Sequence, residues 1–149
     1  MTRLLLAGLH LLALGIGLGA VWARARALSS RHSAESLRAV FLADTWWGVA
    51  ALLWVSTGVW RLVAGLEKNT AYYFQNHLFL TKMALFAIIL ALEVWPIITL
   101  IAWRRRVMRG EQPDVSAAPL LARISFAQAG LVLLMIFLAA GMARGYGVR

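Results

Sequence analysis

Six ionisable residues stand inside or at the ends of apolar stretches of this chain: His10, Arg24, Asp44, Arg61, Lys82 and Glu93. At membrane depth such groups are costly, so they turn towards a bundle interior, pair with one another or mark a ligand site. Spacing sorts them. His10, Gly17 and Arg24 recur every seven residues, as do Asp44, Ala51 and Gly58, while Lys82 and Glu93 are eleven apart; each set therefore shares one stripe of its own helix. Turned inward, Arg24, Asp44 and Glu93 make a structural charge layer, with a surplus negative charge for Arg104 to meet. His10, Arg61 and Lys82 make a second layer with no acid in their spans, and only Glu67 in the adjoining loop can answer them. That layer suits an anion. An imidazole, two cations and an apolar slot fit a porphyrin, with His10 as the metal ligand, Arg61 and Lys82 on the propionates, and heme b as the cofactor.

The elements that must position these groups follow from composition. The chain has 149 residues, 62% hydrophobic and 14% charged, with mean hydropathy +0.75. This is the balance of an integral membrane protein rather than a soluble domain. Four stretches approach the roughly 20 residues that cross about 30 Å of hydrocarbon. They predict a single all-α transmembrane domain, a four-helix bundle with helices at about 4–25, 44–64, 77–103 and 120–143. Strand-like alternation is absent, and a lipid-facing backbone must bond to itself. The first stretch holds a histidine and exceeds the 7–15 apolar residues of a signal peptide, so it is expected to be retained. Gly8, Gly15 and Gly19 form a small-residue stripe beside the His10 stripe. It is expected to pack closely, and the Gly15/Gly19 face also permits a homo-oligomer.

Fifteen Lys and Arg against six Asp and Glu leave a net charge of +9, but the basic residues collect at span ends. Arg24, Arg26, Arg31, Arg38, Arg104, Arg105, Arg106, Arg109 and Arg123 lie on one side. Arg3, Arg61, Lys68, Arg144 and Arg149 lie on the other. The positive-inside rule then places both termini on the outer side of the membrane. The expected partners are membrane lipid and a second copy of the chain, with no nucleic acid. Tyr72, Tyr73 and Phe74 suit an aromatic belt, His77 a boundary, and His32 a solvated loop. Pro96 should bend the third span or free a carbonyl. The absence of cysteine removes disulfides and thiolate ligands. No Ser/His/Asp or HExxH pattern supports hydrolysis. Copper is disfavoured because the methionines are not expected to gather around His10.

The runs Leu9-His10-Leu11-Leu12-Ala13-Leu14-Gly15, Leu42-Ala43-Asp44-Thr45-Trp46-Trp47-Gly48, Tyr72-Tyr73-Phe74-Gln75-Asn76-His77-Leu78-Phe79-Leu80-Thr81-Lys82-Met83 and Leu92-Glu93-Val94-Trp95-Pro96 resemble a family of small bacterial membrane proteins of unknown function. That resemblance covers nearly the whole chain and implies a multi-pass protein of a bacterial inner membrane, whose outer side is periplasmic. A leucine-histidine pair early in span one and a lysine early in span three also resemble HemJ, the four-helix, heme-associated protoporphyrinogen oxidase, and the CopD copper-resistance membrane proteins. The HemJ resemblance implies His10 as heme ligand and Lys82 as a functional, catalytic residue of an oxidoreductase. Two other classes remain open: a small oligomeric transporter or channel component using the inward charges, and a non-catalytic membrane module held by the two polar layers.

Overall fold

The computed structural model describes residues 1–30, 33–64 and 75–147. Four helices account for most of them: α1 (Thr2–Leu28), α2 (Ala34–Val63), α3 (His77–Met108) and α4 (Ala118–Ala143). All four are long and apolar enough to cross a membrane, and there is no strand among the described residues. Glu67, Lys68, Tyr72, Tyr73, Phe74, Arg31, His32 and Arg149 lie outside the described residues.

Local chemistry sets the helix starts. At α2 the Ser33 hydroxyl accepts from the Ser36 amide while the Ser36 hydroxyl accepts from the Ser33 amide, so two amides that lack helical acceptors are satisfied reciprocally. At α3 the Asn76 side chain accepts from the Leu78 and Phe79 amides. Proline stands in the first turn of α4, where the missing N–H costs nothing. Because of the Ser33 cap, α2 starts ten residues before the apolar stretch expected at 44, and α3 likewise runs past 103 to Met108. Hydropathy marks where a helix enters lipid, whereas caps mark where it ends.

α1 packs closely on α2 and α4, and α3 on α4, while α2 and α3 meet through long side chains rather than close backbone approach. One apolar cluster gathers Leu28, Leu37, Val40, Leu100, Trp103 and Leu121 at the arginine-rich end. A second places Val21, Trp47, Ile89, Val132 and Met135 in the middle. The expected close-packing glycine stripe is overturned: Gly8, Gly15 and Gly19 have open space where a Cβ would stand. Gly17, on the neighbouring stripe, makes the close approach, with Ala50 Cβ and Trp47 Cζ3 at 3.4 and 3.5 Å from its would-be Cβ. Burying the His10–Gly17–Arg24 stripe satisfies Arg24, and this turns the other glycines outward. Pro96 is buried within a continuous α3.

Four antiparallel helices bring Met1 and Gly147 to the same end of the bundle. There the His77 backbone amide donates to Gly147 O at 2.9 Å and the Asn76 side-chain Nδ2 to Tyr146 O at 3.1 Å, clasping the C-terminal turn to α3. Gly147 has φ +88°, and a Cβ there would stand 2.6 Å from Asn76 Oδ1. Only glycine fits.

Candidate functional site

Arg24 occupies the centre of the inner layer with no exposed surface. Its Nη1 donates to Asp44 Oδ1 at 2.9 Å and to Glu93 Oε1 at 2.7 Å. Nη2 donates to Glu93 Oε2 at 2.8 Å and to Gln128 Oε1 at 2.9 Å, and Nε to Ser125 Oγ at 3.0 Å. All five guanidinium donors are thereby used. Arg104 closes the layer, donating to Asp44 Oδ2 at 2.9 Å and to Phe41 O. Gln128 returns its amide protons to Glu93 Oε2 and Ile89 O. Two cations face two carboxylates, so the layer is neutral and ties all four helices together. The structure thus brings Arg24, Asp44, Glu93 and Arg104 to one place. Sequence reasoning missed Ser125 and Gln128, although they stand three apart in an α4 whose other polar residue is Arg123, which was signal enough.

Towards the end holding the termini lies a cleft of about 570 Å³ bounded by all four helices. His10 from α1, Arg61 from α2 and Lys82 from α3 line it together, among Leu11, Leu14, Leu62 and Ile136. Its volume is in the range of small-molecule sites. The three residues expected to form the outer polar layer line one cavity. Met135 and Met142 line it as well, although the methionines are not expected to gather around His10: α4 runs antiparallel to α1, so its C-terminal turns return to the end of the bundle where α1 starts. His77, by contrast, is exposed at the start of α3.

His10 is held in a defined way. Its Nδ1 lies 2.9 Å from Thr57 Oγ1, and Thr57 Oγ1 lies 2.6 Å from Leu53 O. Two oxygens approach that closely only with a proton between them, so the single hydroxyl proton goes to Leu53 and Thr57 must accept from His10. Nδ1 then carries a proton, and in the neutral ring Nε2 carries the lone pair. A nitrogen fixed in this tautomer by a bond at the opposite ring atom is the usual arrangement of a metal-ligating histidine. Gly58 makes room for the ring, since a Cβ there would stand 3.2 Å from His10 Cε1. Trp54 lies against the same ring, centroids 5.7 Å apart and planes tilted by 34°, and meets Phe86 of α3 edge-on. Trp54 Nε1 is buried and has no hydrogen-bond partner among the described residues. A buried donor in that state costs roughly 1–3 kcal/mol. Trp54 also lines a smaller cavity of about 50 Å³ that reaches Glu93.

A multi-pass α-helical membrane protein with a neutral charged layer at one level and a ligand-sized cleft at another is the class this architecture defines. Among known families, the chain belongs to the one described as "Predicted membrane protein (DUF2214)", whose model matches residues 2–147. No curated protein and no solved structure matches it.

Proposed function

We propose that this membrane protein binds a heme-type porphyrin in the cleft, in a bacterial inner membrane with the cleft towards the outer side. The observation that carries the reading is the Thr57–His10 contact in a cavity shared with two cationic side chains. His10 Nε2 would hold the iron, and Arg61 and Lys82 would meet the carboxylates of the ring. Leu11, Leu14, Leu62 and Ile136 suit its apolar face, and Trp54 Nε1 supplies a donor. When bound, heme would supply one-electron chemistry, which makes the chain an oxidoreductase candidate. Lys82 is then the residue to place or move a proton at the edge of the bound ring. The transporter reading has less support, because the satisfied Arg24 layer stands across the path from the cleft to the other end of the bundle, and any ion would have to break it.

The test is an absorption spectrum of the purified protein after heme titration, with and without dithionite. A Soret band whose reduced form shifts supports the reading. Lys82→Met should keep the ligation-type bands while weakening retention roughly ten- to hundredfold, the worth of a charge-assisted contact. A protein that stays colourless after titration overturns it.

A further inference from the structure

We propose a binding site for one anionic phospholipid on the outward face of α1 and α4, at the arginine-rich end of the bundle. Trp22 is 53% exposed and meets Phe126 edge-on, centroids 5.1 Å apart. Arg26 follows Trp22 by four residues and Arg123 precedes Phe126 by three, so each arginine shares a helix face with its aromatic. The Arg24–Ser125 bond sets the register of the two antiparallel helices. Arg26 and Arg123 each lie two residues beyond it, about 3 Å further towards the same end. Both are exposed. Unlike those of Arg24, Arg104 and Arg109, neither side chain has a hydrogen bond or ion pair among the described residues.

Two guanidiniums above an aromatic pair form a cationic seat at headgroup depth. On the other side of that pair, towards the bilayer middle, Gly19 and Gly130 are exposed with open space where side chains would stand, leaving a shallow channel for an acyl chain. The charge decides the occupant. A second copy packed two-fold on this face would set its own Arg26 and Arg123 against the same residues, bringing four cations together. A phosphodiester instead neutralises them and can accept from both. The site is independent of the cleft and of what the cleft binds.

Binding of short-chain phosphatidylglycerol and phosphatidylcholine to the detergent-purified protein tests this. The anionic lipid should bind wild type in preference, and raising the salt from 0.1 to 1 M should weaken that binding alone. Arg26→Gln with Arg123→Gln should lower the affinity for phosphatidylglycerol about thirtyfold, from roughly one charge contact per arginine. Equal affinity for the two lipids, salt-independent binding, or an unchanged double variant overturns the site. The chain has no cysteine, so Gly19→Cys reports a second copy directly: a disulfide-linked dimer in membranes contradicts the proposal, and a monomer supports it.

Discussion

Replacing Glu93 by alanine removes both oxygens that hold Arg24 bidentately at 2.7 and 2.8 Å. Two guanidinium donors lose their acceptors inside the bundle, Gln128 keeps only Ile89 O for its amide protons, and the layer changes from neutral to one excess positive charge. Removing one partner of a buried pair costs about 3–5 kcal/mol. For a chain of this length, at about 3 °C per kcal/mol, the unfolding midpoint should fall by roughly 10–15 °C. Thermal unfolding in a mild detergent, followed by the monodisperse fraction on gel filtration, measures it. The double variant Arg24→Met with Glu93→Leu should lose less than the sum of its single changes, because neither leaves an unmatched partner in the other. A Glu93→Ala midpoint within about 2 °C of wild type would refute the reasoning, as would strictly additive losses.

Three further outcomes follow. Reporter fusions after Gly147 should be active only with an enzyme that works outside the cytoplasm, given nine basic residues at one set of span ends and five at the other; activity of a cytoplasmic reporter would reverse every assignment of side. Gly147→Ala should loosen the clasp to Asn76, since φ +88° and a Cβ 2.6 Å from Asn76 Oδ1 both oppose it, and proteolysis near the C-terminus should quicken; an unchanged digestion rate would show that the turn shifts freely. In the loop between α3 and α4, the Ser116 amide donates to Asp114 Oδ1 and Arg109 to Glu111, holding both carboxyl groups below their ordinary range. Their contribution is therefore full above the ordinary carboxylate value and fades as pH falls through the lowered one, and an NMR titration of Asp114 with a midpoint at or above the ordinary aspartate value would contradict it.

Apolar length alone made the four spans and their order legible, because the bilayer dictates it. The charged layer was legible too: Arg24, Asp44 and Glu93 stand on inward stripes at matching depths, and a lipid environment leaves them little else to bond. What failed was the close packing expected of the glycine stripe beside the polar one on α1. The glycines at 8, 15 and 19 are seven and four apart and His10, Gly17 and Arg24 seven and seven; both spacings fit a helix face, and periodicity does not say which faces in. Arg24 decides it once its five donors are counted. The early start of α2 was written in Ser33 and Ser36, but a reading by hydropathy passes over residues 34–43 because Glu35 and Arg38 interrupt them. The place of Met135 and Met142 in the lining of the cleft depends on the antiparallel register of α4, which no single span encodes.

The central claim rests on His10, and heme titration of the His10→Ala variant tests it most directly. Wild type should give a Soret band that saturates at one heme per chain and shifts on reduction, while His10→Ala should lose that spectrum and keep its folded gel-filtration profile. Equal affinity and identical bands in wild type and His10→Ala would contradict the assignment and leave His10 as a hydrogen-bonding contact to Thr57 between α1 and α2.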